Sequence, residues 1–427
     1  MKVIRLLQMS DVHWTKLPNA ADDYTDIRNS MIEDLENYCK VTGNKFHKIL
    51  LCGDIAFSGS EEEYERANCF IKDLCSKVNC KLDEVYTVPG NHDKNVEEHP
   101  KCVREFMHAA LCNHGKNVDA VWNKMMVEDF SFIKRIYTPF KYYNKFCYEE
   151  RDCAEPFMQS ALNKNISRYD NEEMYWHYEF EEKLEGYSLN LYGVNSALIS
   201  DLQDYDTEAN RQKGHLLYLP QMAYRGANIH GGNINILMCH HPLNFLLNQK
   251  VIEKDLDKRY ALQLFGHVHI AESNMANNAV HVYSGALNPG DINDDRYLPV
   301  YNIIELSIEK HKKNSDYLNV KLQVRKYNGE CFDEDRKQSR IFKVTLKNHN
   351  TWKKSECNDN KEFDLPMGIT KRDIRHQFIK SPQRKKIIKH FYPTMNCDGS
   401  AYMSNKVFLD KVRTDNKWVE LHKYMNK

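Results

Sequence analysis

Five short segments of this 427-residue chain carry side chains that can bind cations or move protons: Asp11-Val12-His13, Gly53-Asp54 with Gly59 beyond it, Gly90-Asn91-His92-Asp93, Cys239-His240-His241-Pro242 and Gly266-His267-Val268-His269. Carboxylates, imidazoles and one amide oxygen are the ligand types that suit manganese, iron and zinc. In an extended chain, D-x-H and H-x-H place both side chains on one face. Glycine beside an acidic or imidazole residue allows a sharp turn and close backbone approach. A lone H-x-H carries little information. Five such segments, each closing an apolar run, carry much more.

Those runs are the elements that must position the chemistry. Val3 to Met9 reads as a strand ending at Ser10-Asp11, Lys48 to Cys52 as a second ending at Gly53-Asp54, and Glu84 to Val88 as a third ending at Pro89-Gly90-Asn91. Between them, Asp22 to Cys39 has helical spacing, with Ile27, Met31, Leu35 and Tyr38 on one face. Glu61 to Val78 is a second helix, started by a Ser60/Glu63 capping box and carrying a stripe of Tyr64, Ala67, Phe70, Ile71 and Leu74. A βαβαβ series implies a sheet covered by helices, and open α/β sheets place their sites at strand C-termini.

From about residue 94 to 185 the rhythm changes to a helical, aromatic-rich pattern, including Phe140 to Phe146 and Tyr175-Trp176-His177-Tyr178. It reads as a helical insertion beside or over the site. Strand signals resume at Ser188 to Val194, Asn233 to Cys239, Ala261 to Phe265, Val280 to Tyr283, Val300 to Ile308, Leu318 to Lys326 and Phe342 to Leu346. Residues 348–366 are a polar linker, and 367–427 read as short helices, one of them started by Ser381-Pro382. The expected layout is a catalytic domain over 1–347 and a basic helical module over 367–427.

Hydrophobic residues make up 41% and charged residues 28% of the chain, which is ordinary for a globular protein and excludes collagen-like or wholly disordered classes. No run approaches the ~20 apolar residues a membrane helix needs, and the N-terminus lacks the long apolar region of a signal peptide. Thirteen cysteines with no C-x-x-C pair read as buried thiols of a cytoplasmic protein rather than disulfides or a zinc site. Sixty basic and sixty acidic residues cancel overall, but 367–427 holds 14 Lys/Arg against 5 Asp/Glu, a net of +9. A basic tail on an acidic body suggests two modules with different partners.

Taken in order, the five motifs resemble the calcineurin-like metallophosphoesterases over roughly Met1 to Leu346, the insertion excepted. The resemblance implies an α/β four-layer αββα sandwich of two mixed sheets with the site at strand C-termini. It implies two divalent cations, manganese first, with iron or zinc as alternatives. One would be held by Asp11, His13 and His269, the other by Asn91, His240 and His267, with Asp54 bridging. Two such cations lower the pKa of a bridging water and clamp an in-line displacement at phosphorus. His92 would orient the phosphate and protonate the leaving oxygen.

Simpler readings apply elsewhere. His241 is expected to support the site or face substrate, Asp93 to serve a turn, and Asn195 and Ser196 to end a strand, although that pair also resembles a segment of cyclic-nucleotide members. His108, His114, His215, His230 and His281 read as ordinary histidines. The basic tail (Lys371, Arg372, Arg375, Arg384, Lys385, Lys386, Lys389) could meet nucleic-acid phosphates or form a solvated helix face. Residues 373–388 resemble small helical adaptor modules attached to effectors of bacterial conflict systems, which implies recruitment by a protein partner. The expected function is phosphodiester hydrolysis on a cyclic or small nucleotide or a nucleic-acid strand. The alternative is an adaptor or effector recruited through its C-terminal module.

Overall fold

The apolar run Val3–Met9 forms strand β1, and its alternation sets the architecture. Ile4 and Leu6 point into a core shared by two sheets, while Leu7 and Met9 are buried on the opposite face. The computed structural model describes residues 2–15, 24–95, 119–122, 136–148, 175–200, 217–227, 229, 231–247, 249–289, 297–311, 315–346, 374, 377–378, 381, 383–392, 408–409, 412 and 417–426. The chain divides into two compact units, Met1–Asp119 with Lys134–Thr351, and Ala120–Ile133 with Trp352–Lys427.

In the larger unit β1 is followed by α1 (Thr25–Thr42), β2 (Lys48–Leu51), α2 (Glu61–Lys77), β3 (Val85–Thr87) and α3 (Lys141–Tyr148). Then come β4 (Tyr175–Glu179), β5 (Ser188–Val194), β6 (Asn233–Cys239), α4 (Gln249–Arg259), β7 (Leu262–Phe265), β8 (Glu272–Ala276) and β9 (Ala279–Tyr283). Strands β10 (Val300–Glu309), β11 (Tyr317–Tyr327), β12 (Phe332–Glu334) and β13 (Arg340–Thr345) close the unit. The first sheet has the order β12-β11-β10-β1-β2-β3, with β13 also paired to β11. Strands β1, β2 and β3 are parallel, and β10 runs antiparallel to β1. The second sheet has the order β4-β5-β6-β7-β9-β8, parallel from β5 to β9 with antiparallel edges.

One apolar cluster joins the inner faces: Ile4, Leu50, Ile304 and Leu322 from the first sheet meet Leu191, Ile236, Leu264 and Val282 from the second. The outer faces are polar in a complementary way. Tyr301 and Arg325 both bond Asp34 of α1, and the Tyr38 hydroxyl donates to Glu305 at 3.4 Å. On the second sheet Gln263 and His281 reach Asp257 of α4 at 2.9 and 2.8 Å. Helices therefore cover both outer faces, giving the expected four layers of an α/β sandwich. At the start of α2, Glu63 accepts the backbone N–H groups of Ser58 and Ser60, both at 3.0 Å, and the whole expected stripe from Tyr64 to Leu74 is buried.

Three elements differ from the sequence reading. Tyr175-Trp176-His177-Tyr178, read as part of a helical segment, is edge strand β4. Its burial has a period of two: Trp176 and Tyr178 enter the core, and the Trp176 indole N–H donates to the Thr87 carbonyl at 3.0 Å. Strands β8 and β12 were not foreseen, because ESNMA and FDE lack the apolar alternation that marks a half-buried strand.

In the smaller unit the described residues form α5 (Arg384–Phe391) and α6 (Trp418–Met425) around their own core of Ile374, Phe378, Ile387, Ile388, Phe408, Val412, Trp418 and Leu421. Helix α5 starts at Arg384, and the Gln383 N–H donates to the Ser381 hydroxyl at 3.2 Å. The 348–366 linker, most of the insertion, Lys371, Arg372, Arg375, His108, His114, His215 and His230 lie outside the described residues. Among the described residues no helix is long and apolar enough to cross a membrane.

Candidate metal centre

Each motif leaves its strand and is immediately tied to a neighbour. After β1, the N–H groups of Asp11 and His13 donate to the carbonyls of Gly53 and Asp54, both at 3.0 Å. Gly266 N–H donates to the His240 carbonyl at 2.9 Å, and His267 N–H to Asp11 Oδ2 at 3.0 Å. The backbone at these exits is unusual. Asp11, His13, Asp54, His267 and His269 all adopt the left-handed conformation, with φ between 49° and 71°. Such values are uncommon for residues with a Cβ, though Asp and His are enriched there, and they concentrate at functional sites. Close approach is also built in: a Cβ on Gly90 would lie 2.1 Å from Asp54 Oδ1 and 2.7 Å from His240 Nε2.

The donor atoms gather in two adjoining groups. In the first, Asp11 Oδ1 lies 3.2 Å from His269 Nε2 and 3.8 Å from His13 Nε2, and the two imidazole nitrogens are 3.5 Å apart. In the second, His240 Nε2 lies 3.3 Å from both Asp54 Oδ2 and Asn91 Oδ1. His267 packs its ring 5.1 Å from that of His240. Asp54 belongs to both sides, grouped with His13 and His92 on one and with Asp11 and His240 on the other. The seven residues expected from sequence to bind metal, and His92, are thus brought into one cluster.

Neighbouring groups set which nitrogen faces inward. His240 Nδ1 is 2.7 Å from the Cys52 carbonyl, so it carries a proton and Nε2 is the nitrogen turned toward Asp54 and Asn91. His92 is held in the same manner, Nδ1–H on the Phe57 carbonyl at 2.7 Å, while its backbone N–H donates to Asp54 Oδ1 at 2.9 Å. Asp93 is a tie, not a ligand. Its carboxylate accepts from Ile55 N–H (3.1 Å), Ala56 N–H (3.0 Å), Gly90 N–H (2.9 Å) and the Tyr64 hydroxyl (2.9 Å), locking the Asp54 and Asn91 loops together. Ser196 lies 2.9 Å from His241 Nδ1 and accepts the His241 backbone N–H at 3.1 Å, whereas Asn195 accepts the Ala197 N–H as a local turn. The partner of Ser196 is 45 residues away, and nothing in the sequence spacing announces it.

The electrostatics ask for positive charge. Burial favours the protonated carboxyl at Asp11, yet the charge and hydrogen bond of His269 and the charge of His240 together outweigh it and bring the value down to about 2. Asp54 is likewise held well below the carboxylate range, by His240 and His92 against burial. Burial works against the charged form of His240, but Asp54 and Asp11 raise it to about 9; His269 is also raised, by Asp11. His13 is pushed by burial to about 4, and His241 is kept well below its usual value by burial and its neighbours His267 and His240. Asp11 Oδ1 is buried and faces only the imidazole nitrogens of His269 and His13. Two buried carboxylates and imidazole nitrogens turned toward them make a donor set that fits divalent cations.

A model described as calcineurin-like phosphoesterase matches residues 4–271. Among solved structures the chain is similar to GAP50, the anchor in the inner membrane complex of Plasmodium, at 10% identity over 82% of this chain and 90% of that one, with a TM-score of 0.43. It is similar to vacuolar protein sorting 29 from Cryptosporidium parvum at 10% identity, over 80% and 98% of the two chains, TM-score 0.32. It is also similar to a protein assigned as a 5′-nucleotidase of Staphylococcus aureus at 12% identity, over 83% and 56%, TM-score 0.34. No curated protein matches the chain.

Proposed function

Because the chain belongs to the calcineurin-like phosphoesterase family, whose members hydrolyse phosphoesters with divalent metals, we propose that it is a two-metal phosphodiesterase acting on a nucleotide or a nucleic-acid strand. The observation that carries this reading is the pair of adjoining donor groups that share Asp54. Asp11, His13 and His269 would hold one cation, Asn91, His240 and His267 the other, with Asp54 between them. When bound, two divalent cations supply Lewis acidity at the phosphoryl oxygens and an activated water near neutral pH, and manganese, iron or zinc would suit these ligands. The protein's own part is positional. Cys52 and Asp93 fix the ligand loops, and His92, with Nδ1–H held by the Phe57 carbonyl, keeps Nε2 for protonating the departing oxygen. Ser196 is engaged by His241 and Asn195 accepts the Ala197 N–H in a local turn, which weakens the link to cyclic nucleotides that their spelling suggested.

The test is hydrolysis of bis(p-nitrophenyl) phosphate by manganese-loaded protein. Asp54→Ala should abolish it. His92→Ala should bind metal normally and lose about 10²- to 10⁴-fold in rate, the usual contribution of a positioned acid. Full activity of Asp54→Ala would sink the mechanism.

A second reading draws on the smaller unit. Its described residues carry six Lys/Arg (Arg384, Lys385, Lys386, Lys389, Lys417, Lys423) and one acid, Glu420, around a separate apolar core. We take 1–347 as the catalytic domain and 367–427 as a recruiting module for a protein partner. Deleting 367–427 without loss of partner binding would end that reading. Every described cysteine is a free thiol, in keeping with a cytoplasmic protein.

A further inference from the structure

Among the described large hydrophobic residues that remain exposed, Phe57 is the only aromatic one, at 50% of its surface. It stands at the rim of the metal centre. Its ring lies 5.3 Å from the His92 ring, tilted 40°, and 6.0 Å from the His13 ring. The backbone beneath it is fixed from both sides: Phe57 N–H donates to the Trp14 carbonyl at 2.9 Å, and the Phe57 carbonyl accepts His92 Nδ1–H. The phenyl face is therefore held next to the group that would protonate the departing oxygen.

A flat apolar face at that point suits a flat apolar group on the departing half of the substrate. Of the parts of a phosphodiester, the phosphate and sugar offer no π-face, whereas every nucleobase does. Aromatic faces gain from offset or tilted stacking, and base–aromatic stacking tolerates any base. We propose that Phe57 is a stacking platform for the nucleobase on the departing side, so that the substrate is a nucleobase-bearing phosphodiester read without base specificity. This rests on the phosphodiesterase reading of the same centre.

The test compares a dinucleotide, thymidylyl-thymidine, with analogues made abasic on one side, the other, or both, using the full chain with manganese. Losing the departing-side base should lower kcat/KM of the unaltered protein about 5- to 150-fold, the range for one stacked base. Phe57→Ala keeps the carbonyl that holds His92. It should lose as much on the intact dinucleotide and become indifferent to that base, each protein being referred to its own rate on the doubly abasic analogue. Phe57→Trp should retain the preference. Without metal, its added tryptophan emission should be quenched by the dinucleotide and not by the doubly abasic analogue. Equal losses by Phe57→Ala on intact and abasic substrates, or unquenched emission, would overturn the proposal. So would a stronger Phe57 dependence on p-nitrophenyl phosphate, which would mark an aryl phosphate site instead. Quenching without turnover of any dinucleotide would leave the stack standing and remove the phosphodiesterase reading.

Discussion

A single methyl group added at Gly90 should disable the metal centre while leaving the fold standing. Gly90 does not sit in the left-handed region, so alanine meets no backbone penalty there. Its Cβ would instead lie 2.1 Å from Asp54 Oδ1, 2.7 Å from Asp54 N and 2.7 Å from His240 Nε2. Ordinary contact begins at 3.4 Å, so the Asp54 oxygen must retreat by 3.4 − 2.1 = 1.3 Å or the loop must shift by as much. Overpacking of this kind costs about 1–3 kcal/mol, less than the net stability of about 5–15 kcal/mol typical of a folded protein. A displacement near 1 Å in catalytic geometry can cost on the order of 10²-fold in rate. Gly90→Ala should therefore fold, give a circular dichroism spectrum like that of the unaltered protein, and lose about 100-fold in turnover of bis(p-nitrophenyl) phosphate together with weaker metal binding by calorimetric titration. Gly226→Ala, where the added atom meets nothing within 4 Å, is the matched control. Unchanged turnover and metal affinity in Gly90→Ala would refute the claim that Asp54 and His240 act from the positions described.

Three further outcomes follow from the same contacts. Chelating the metals should lower the thermal midpoint, since a ligand present at 100 times its Kd contributes about 2.7 kcal/mol to the folded state; an unmoved midpoint in scanning calorimetry would argue against cations at this centre. Ser196→Ala should weaken metal affinity about 10- to 100-fold by releasing the His241 ring that packs 4.5 Å from His267, as loss of a supporting partner commonly does, and calorimetry would read it. Asp257 is raised by burial but held below its ordinary value overall by His281, Asn277 and Gln263. A carboxyl depressed in the folded state contributes stability above its unfolded pKa near 3.9 and loses it as pH falls further. Thermal midpoints of Asp257→Asn should therefore fall less steeply below pH 4 than those of the unaltered protein.

The strands that carry the motifs were legible because both faces are buried. Val3–Met9, Lys48–Leu51 and Asn233–Cys239 are short apolar runs, and their polar endings stand out against them. The edges were not legible for the opposite reason. Glu272–Ala276 has no buried position, and Tyr175–Glu179 has aromatic bulk that fits a helix face as well as a sheet face until pairing with β5 decides it. Within the site, the carboxylate, imidazole and amide side chains that the structure gathers were readable from their types and order. The Cys52 carbonyl on His240 and the Phe57 carbonyl on His92 were not, because a backbone oxygen has no signature in sequence. Asp93 could be suspected from Gly90-Asn91-His92-Asp93, but its bonds to Ile55 and Ala56 come from a loop nearly 40 residues earlier.

The five left-handed residues at Asp11, His13, Asp54, His267 and His269 bear on how this protein can be improved. Holding an L-residue with a Cβ in that conformation costs roughly 1–2 kcal/mol. Aspartate and histidine tolerate the region better than most residues, so five together cost less than that simple sum but still draw on a net stability of only about 5–15 kcal/mol. Glycine at any of them would relax the backbone and remove the donor atom. Asn79, Glu185, Asn277 and Asn278 share that conformation away from the centre and could be relaxed freely, whereas the same change at these five would remove the proposed metal donors, a conflict between stability and function written into the main chain.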